Sequence, residues 1–255
     1  GSSPQNLVDV DGKLFFSAFD GVNGRELWAS DGTFAGTILV KNIDGGPNHS
    51  IFDVFDNAIV EFNGEAFFGA NPGDGSGVGL WKSNGTFGGT VQVVSGLIPK
   101  SFTQMGGALY IVRASNSASD SFAQGLWKSD GTTVGTVLVK NVPGNINRRL
   151  GVVGSTLYLA VGERELWKSD GTGPGTTLVA NLLPNDTVGS FSDDLTGIGG
   201  TLFFSSAAGN KGREVWKSDG TVLGTVRVKD IGIAPGSSTP KKFVLNDQIA
   251  KGARL

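Results

Sequence analysis

A tryptophan-centred motif recurs five times along the chain and restricts the folds open to it. The copies begin at Glu26, Leu80, Leu126, Glu165 and Glu214, and the fourth reads ELWKSDGTGPGTTLV. Their tryptophans are the only five in the chain and lie 53, 46, 40 and 49 residues apart. This spacing is typical of β-propeller blades and kelch-type repeats. We therefore expect one structural unit per copy.

A second recurring segment precedes each motif and completes the unit. It contains two short β-rich runs separated by a Gly-containing turn, as in LVDVDGKLFFSAF from Leu7 and IVEFNGEAFFGA from Ile59. This pattern predicts a β-hairpin, and the two runs of the motif, bridged by Gly-Thr-x-x-Gly, predict another. Two hairpins supply four antiparallel strands, the size of one propeller blade. No window shows the period of a helix.

The complete units predict the fold class and the domain organisation. Most strands carry apolar residues on both sides, which fits blades packed against neighbours better than a sheet-only solenoid. We predict one all-β domain over residues 1–255, a five-bladed β-propeller of four-stranded antiparallel blades. Its units span about 7–43, 51–97, 101–142, 150–182 and 191–231. Residues 240–255 resemble only the first hairpin of a sixth unit, so they either close the ring or belong to a longer array.

Composition narrows the partners and cofactors. The 41 glycines among 255 residues fit many tight turns. The net charge of -2, with acids and bases interspersed, leaves no basic stripe, so we predict no nucleic-acid partner. No apolar run approaches the length of about 18 residues needed to cross a bilayer, so we predict no membrane insertion. One His and no Cys do not supply the usual ligands of a zinc site, and we predict no metal and no cofactor.

The Ser-Asp-Gly-Thr core of the motif lies between two predicted strands. Its Ser and Asp oxygens can accept hydrogen bonds from nearby backbone N–H groups, which predicts a turn. The alternative is calcium binding by the repeated aspartates, which are Asp31, Asp130, Asp170 and Asp219. Asn84 replaces the acid in the second copy, and this favours the turn. The segments DVDG at Asp9 and NPGDGSG at Asn71 lack the full calcium-loop spacing and are predicted to be loops.

At these residues the chain resembles a known family. Over almost its whole length it is similar to the ELWxxDGT repeats of bacterial, often exported, multi-repeat proteins. The resemblance implies a β-propeller-like repeat fold and an extracellular or cell-surface location, and it brings no established catalytic residues. The turn also looks loosely like the Asp-box of sialidase-type propellers, Ser-x-Asp-x-Gly, although Ser and Asp are adjacent here.

The repeated tryptophans allow two interpretations. As ligand-binding residues, their indole faces would stack on sugar rings and act together through avidity; this candidate site comprises Trp28, Trp81, Trp127, Trp167 and Trp216. Alternatively, each indole fills the gap between blades, contributing about 2 to 3 kcal/mol of burial. Alternation along a strand puts Leu and Trp on opposite faces and favours the second interpretation. The adjacent lysines at 82, 128, 168 and 217 are predicted to be edge solubilisers.

Residues that break the repeat are the other candidates for a specific site. They lie in connections, where binding residues concentrate, although each is also compatible with an ordinary solvated loop. They are the loops 71–79 and 115–124, His49, the pair Arg148 and Arg149, and the pair Asp193 and Asp194.

The inventory of catalytic groups is thin. A serine triad would have to use His49, and no Gly-x-Ser-x-Gly elbow is present. We therefore predict that the chain is not an enzyme but a secreted or surface binding or adhesion module, with a glycan or protein ligand. The alternatives are a structural subunit that self-assembles in an extracellular assembly or surface layer and, third, a propeller-type hydrolase, because a two-carboxylate glycosidase leaves no local motif.

Overall fold

The computed structural model of the protein describes residues 1–51, 58–114, 125–162, 164–182, 194–207 and 212–231, without the side chains of 147–149. In these ranges the chain forms twenty strands in five four-stranded antiparallel sheets. The predicted all-β class and the two hairpins per repeat are confirmed. The described ranges hold no helix long and apolar enough to cross a membrane.

Three of the sheets lie in a first compact unit, Gly1–Pro143, and two in a second, Gly144–Leu255. Sheet 1 contains β1 (Gln5–Val10), β2 (Lys13–Phe19), β3 (Arg25–Ser30) and β4 (Ile38–Lys41). Sheet 2 contains β5 (Ile59–Phe62), β6 (Glu65–Ala70), β7 (Gly79–Ser83) and β8 (Val91–Val94). Sheet 3 contains β9 (Pro99–Met105), β10 (Ala108–Arg113), β11 (Gly125–Ser129) and β12 (Val137–Asn141).

The second unit repeats the same plan, with strands paired in chain order. Sheet 4 contains β13 (Ile146–Val153), β14 (Thr156–Val161), β15 (Glu165–Ser169) and β16 (Thr177–Asn181). Sheet 5 contains β17 (Thr196–Ile198), β18 (Thr201–Ser206), β19 (Glu214–Ser218) and β20 (Val226–Arg227). The expected partial unit 240–255 lies outside the described residues.

Two-residue turns close the first hairpin of each repeat. In sheet 2 the turn is Asn63 and Gly64, with φ of 53° and 75°, and in sheet 1 it is Asp11 and Gly12, with φ of 51° and 80°. Two successive positive φ values define a type I′ turn, whose twist matches that of antiparallel strands and which favours Asn-Gly and Asp-Gly. In these two sheets the dipeptide therefore specifies the turn that joins the two strands of the first hairpin.

Within each unit the core lies between successive sheets. We call the side of a sheet that carries the residue before the repeated Trp its forward face, and the side that carries the Trp its backward face. Phe15 and Leu27 on the forward face of sheet 1 share a buried cluster with Phe68 and Trp81 on the backward face of sheet 2. Leu80 and Trp127 share the cluster between sheets 2 and 3, and Leu166 and Trp216 that between sheets 4 and 5. The predicted opposition of Leu and Trp is confirmed.

Candidate functional site

The five candidate tryptophans occupy one register position in their sheets, on the backward face. Trp81 is only 7% exposed, and the other four indoles are half-buried. Trp127 and Trp216 pack against the clusters described above. Trp167 Nε1 donates to Glu165 Oε2 at 2.8 Å. In the part of the chain that the structure describes, the other four indole N–H groups are buried without a hydrogen-bond partner. Ligand binding by these tryptophans stays a prediction, and their packing favours the interpretation as core residues.

The Ser-Asp-Gly-Thr turn has the same geometry in every repeat. In sheet 3, Asp130 Oδ1 accepts hydrogen bonds from Thr132 N–H at 2.8 Å and from the Thr132 hydroxyl at 2.7 Å. Thr132 Oγ1 in turn accepts from Gly135 N–H at 2.9 Å. Ser129 Oγ lies 2.7 Å from Thr136 Oγ1 across the base of the turn. These bonds satisfy the turn locally, without an external ligand.

The hydrogen bonds of the turn also favour the ionised form of its aspartates. The threonine hydroxyl and N–H that bond to Asp130 and Asp219 lower the pKa of both carboxyls below the usual value. In the second repeat Asn84 Oδ1 accepts the same two bonds from Thr86, at 3.1 Å and 2.8 Å. An acceptor oxygen is therefore enough, as expected of a turn. Within the described ranges, no group of three or more His, Cys, Asp or Glu side chains is placed to hold a metal ion.

Two of the lysines beside the tryptophans, Lys82 and Lys168, do more than solubilise an edge. Lys82 Nζ lies 2.8 Å from Glu65 Oε2 on the neighbouring strand. Lys168 Nζ donates to Gly220 O at 2.9 Å and so joins sheet 4 to the turn of sheet 5. Both lysines are only partly exposed, and their cross-strand partners, Phe67 and Tyr158, place them on forward faces.

A cleft of about 460 Å³ lies in the first unit between two connections that break the repeat. It is lined by Asp44, Pro47, Asn48, His49, Asn71 and Gly73. The structure thus brings together His49 and the start of loop 71–79, which the sequence marked separately. Asn71 N–H donates to Ser50 O at 2.9 Å and ties the two connections together.

The first of these connections is shaped by its own polar groups. Gly46 N–H donates to Asp44 Oδ1 at 2.7 Å, and Asp44 N–H donates to Ser50 Oγ at 3.0 Å. The backbone at Asn48 also lies so close to Gly24 that a Cβ on Gly24 would be 2.0 Å from Asn48 O. The cleft wall is therefore held in place by turns and by a close backbone approach.

His49 is exposed in this cleft, and one of its ring nitrogens is occupied. Arg25 N–H donates to His49 Nδ1 at 2.8 Å. A neutral imidazole whose Nδ1 accepts must carry its proton on Nε2. In a serine triad, by contrast, Nδ1 donates to a carboxylate and Nε2 accepts the proton of the nucleophile. The geometry suits His49 to donating a hydrogen bond to a ligand, with Asp44 as a nearby acceptor, rather than to acting as a general base.

A buried carboxyl lies behind the cleft. Glu26 is fully buried, its Oε2 accepts from Ile43 N–H at 3.1 Å, and its Oε1 lies 2.5 Å from Ser50 Oγ. Burial raises the pKa of Glu26 to about 7. Glu214 of sheet 5 has an equivalent bond, because its Oε2 accepts from the N–H of Ile231 at 3.0 Å. Sequence reasoning missed this role, although the position two residues before the Trp, which is Glu in the first, fourth and fifth copies but Gly79 and Gly125 in the second and third, was a visible signal.

The remaining candidate positions either form local turns or lie wholly or partly outside the described residues. Asp9 Oδ1 accepts from Gly12 N–H at 2.8 Å and Asn71 Oδ1 from Gly73 N–H at 3.1 Å, so both segments form local turns. Loop 115–124 and Asp193 lie outside the described residues, as do the side chains of Arg148 and Arg149. Asp194 is half-buried directly before sheet 5.

Known structures define the class of fold to which these sheets belong. A prolyl endopeptidase structure matches 86% of this chain at 13% identity, with a TM-score of 0.56. Two puromycin hydrolase structures, one an S511A mutant in complex with PGG, match 89% and 91% of the chain at 15% identity, each with a TM-score of 0.54. The fold is that of a β-propeller. No protein-family model and no curated protein sequence matches the chain.

These matches correct the functional prediction. The chain spans 34% to 38% of the length of those structures, and all three are hydrolases. The prediction of a binding or adhesion module, possibly carbohydrate-binding, with a structural subunit of an assembly or surface layer as alternative, is therefore wrong. The propeller-type hydrolase, ranked third from sequence, is the class of the matched structures. Sequence could not rank it higher because the repeat positions carry turn and core residues, which are common to propellers of any function.

Proposed function

We propose that this chain is the propeller domain of a hydrolase, and that the groups that perform the chemistry lie outside it. The observation that carries the proposal is the overlap with the prolyl endopeptidase, which takes in 86% of this chain but only 34% of the other. The two puromycin hydrolases support the same division of labour.

The residues of the chain are consistent with a non-catalytic part. His49 is the only histidine in the sequence, and its Nδ1 accepts the Arg25 N–H. The serines and threonines of the repeated turns are engaged with one another, as in the 2.7 Å contact between Ser129 and Thr136. Neither set offers an activated nucleophile beside a base.

The cleft is the part of this chain that we assign to substrate contact. Its Asp44 carboxylate and its His49 Nε2–H provide an acceptor and a donor, and Asn48 and Asn71 add amide groups. Such a set complements the alternating N–H and C=O groups of a peptide backbone. On this proposal the cleft affects substrate selection and leaves bond cleavage itself unchanged.

A comparison of the natural protein that contains this sequence with the 255-residue chain alone tests the proposal. A fluorophosphonate probe and two substrates, a prolyl-peptide arylamide and puromycin, report on a reactive serine and on turnover. We expect labelling and hydrolysis from the natural protein and neither from the chain alone. Absence of both from the natural protein would refute the hydrolase assignment, whereas hydrolysis by the chain alone, lost in His49→Ala, would place catalysis here.

We further propose that the chain belongs with the bacterial ELWxxDGT-repeat proteins and acts outside the cell. The support is the hydrogen-bonded turn, which recurs with the same partners in all five copies of the motif, for example at Asp31 and at Asp219. Fractionation of the source cells, with an antibody against the chain, checks the location. Recovery only in the cytoplasmic fraction would contradict it.

A further inference from the structure

Three Asn-Gly dipeptides occur in the chain, and all three lie in connections between strands of the first unit. They begin at Asn23, Asn63 and Asn84. An asparagine followed by glycine can lose its side-chain amide without an enzyme, because the backbone nitrogen of the glycine attacks the amide carbon with little steric hindrance. The reaction needs a free side chain and an accessible glycine nitrogen, so the fold decides which of the three asparagines reacts.

Asn23 is held at both ends of its amide. Its Nδ2 donates to Asp20 Oδ2 at 2.6 Å, and its Oδ1 accepts from Asn42 Nδ2 at 2.9 Å. The neighbouring Gly24 packs against the backbone of Asn48, since a Cβ on Gly24 would lie 2.0 Å from Asn48 O. The amide carbon and the glycine nitrogen are therefore not free to move toward each other.

Asn84 is held by the outer turn of sheet 2. Its Oδ1 accepts from the Thr86 N–H at 3.1 Å and from the Thr86 hydroxyl at 2.8 Å. Gly85 is buried, and its N–H donates to Ser83 Oγ at 3.0 Å. A reaction at Asn84 would have to break these bonds and expose the glycine, so the turn protects this asparagine.

Asn63 differs from the other two asparagines. It is exposed at the tip of the hairpin between β5 and β6, and its side chain makes no hydrogen bond to the residues that the structure describes. The N–H of Gly64 donates to Glu61 Oε1 at 3.0 Å. The proton that must leave the attacking nitrogen is therefore directed at a carboxylate, which is a base, whereas the N–H of Gly85 is directed at a hydroxyl.

We propose that Asn63 is a site of spontaneous deamidation, with the Glu61 carboxylate as the general base. The Gly64 nitrogen forms a bond to Asn63 Cγ while its proton passes to Glu61 Oε1. The Cγ–Nδ2 bond then breaks, the proton passes to Nδ2, and ammonia leaves behind a succinimide ring. Water opens the ring by giving its hydroxyl to one carbonyl carbon and a proton to the ring nitrogen. Attack at Cγ yields aspartate, and attack at the main-chain carbonyl yields isoaspartate.

The reaction changes the charge of the first unit. Opening of the ring at Cγ gives Asp-Gly, the dipeptide that sheet 1 already has at Asp11 and Gly12. The new carboxylate lies near two others, because Glu61 accepts the Gly64 N–H and a Cβ on Gly64 would be 2.9 Å from Asp11 Oδ2. Like charges repel, so the modified turn packs less favourably beside sheet 1. This inference does not depend on the hydrolase assignment.

Incubation of the purified 255-residue chain at physiological pH and temperature tests the proposal. Trypsin separates the three asparagines into different peptides, and mass spectrometry follows the exchange of amide for carboxyl in each. We expect Asn63 to react about tenfold or more faster than Asn23 and Asn84 in the folded chain. In concentrated urea, which removes the protection by the fold, the three rates should become comparable. Equal rates at the three asparagines in the folded chain would overturn the proposal.

The variant Glu61→Gln separates the base from the structure of the turn. The glutamine Oε1 still accepts the Gly64 N–H but is not basic, so the rate at Asn63 should fall about tenfold. Asp9→Asn is the matched control, because Asp9 Oδ1 accepts the Gly12 N–H at 2.8 Å in the equivalent turn of sheet 1, and this change should leave the rate at Asn63 unaltered. Circular dichroism verifies that both variants are folded. A rate that Glu61→Gln leaves unchanged, or that both variants lower equally, would overturn the proposal.

Discussion

Asn84 and Gly89 approach each other so closely across the second outer turn that a Cβ on Gly89 would lie 2.0 Å from Asn84 Oδ1. Thr86 holds both ends, because it donates to Asn84 Oδ1 through its N–H and hydroxyl and accepts from Gly89 N–H at 3.0 Å. The equivalent glycine is equally close to its aspartate in the other four turns; these glycines are Gly36, Gly135, Gly175 and Gly224. The second Gly of the Gly-Thr-x-x-Gly bridge is therefore required, because any larger side chain would collide with the Asp or Asn of the turn.

This relationship predicts opposite outcomes for two adjacent residues. Gly89→Ala should lower the free energy of unfolding by about 1 to 3 kcal/mol, because the methyl group must displace Asn84 and break its bonds to Thr86. Gly88→Ala is the control, since a Cβ there meets no atom within 4 Å, and it should change stability by no more than about 0.5 kcal/mol. Urea unfolding of both variants measures the difference. Equal values would contradict the steric explanation.

The side chain at Asp130 should be needed for its oxygen and not for its charge. Asp130→Asn keeps an acceptor for the Thr132 N–H and hydroxyl, as Asn84 does in the second turn, whereas Asp130→Ala leaves both donors to solvent. We expect the melting temperature of the Ala variant at pH 7 to fall below that of the Asn variant. A larger loss in Asp130→Asn, or calcium-dependent melting of the wild type, would instead indicate a cation site.

Glu26 should make stability depend on pH in the direction opposite to most carboxyls. Its pKa is about 7 in the folded chain and 4.5 at the ordinary value, so between these values the folded state holds a proton that the unfolded state has released. Stability then falls as the pH rises from about 4.5 to about 7, by roughly 2 to 3 kcal/mol. Glu26→Gln removes this loss while keeping a donor toward Ser50 Oγ and an acceptor for Ile43 N–H.

Chemical unfolding at pH 5 and pH 8 measures the Glu26 effect. We expect Glu26→Gln to match the wild type at pH 5 and to exceed it at pH 8. Parallel curves for the two proteins would show that the carboxyl is ionised in the folded chain throughout this range.

The leucine of the Leu-Trp dipeptide should contribute strongly to stability. Leu80 is fully buried between sheets 2 and 3, so Leu80→Ala should cost about 2 to 5 kcal/mol. Leu138, 42% exposed on the outer strand β12, is the matched control, and Leu138→Ala should cost less than about 1 kcal/mol. Differential scanning calorimetry compares the two. A small effect at Leu80 would mean that the sheets can close over the cavity.

Local signals in the sequence predicted the sheets well. The Asn63-Gly64 turn and the alternation of Leu and Trp specify where strands start and which face each side chain takes, because both depend only on near neighbours. The shift in register between Leu80 and Trp81, which recurs in three other sheets, was not predicted. A bulge is set by how a strand fits its partner, and neither strand alone encodes it.

The candidate cleft could be predicted only in part. Sequence marked His49 and loop 71–79 as unusual, yet their proximity depends on the packing of sheet 1 against sheet 2. The hydrogen bond from Arg25 N–H to His49 Nδ1 joins positions 24 residues apart, and no periodicity reveals it. Function could not be predicted from the repeat, since the repeated residues build the scaffold and the similarity to the hydrolase structures is one of backbone fold alone.

The Leu-Trp dipeptide, which sends one side chain to each neighbour, gives the array a polarity. The junctions inside each unit offer the same pair of surfaces in the same order, so a gene that gains or loses one whole repeat still encodes matching partners at the new boundary. Copy number can then drift by duplication without a compensating change elsewhere, whereas reversal of a single repeat would place two indoles against each other at one of its junctions and two leucines against each other at the other.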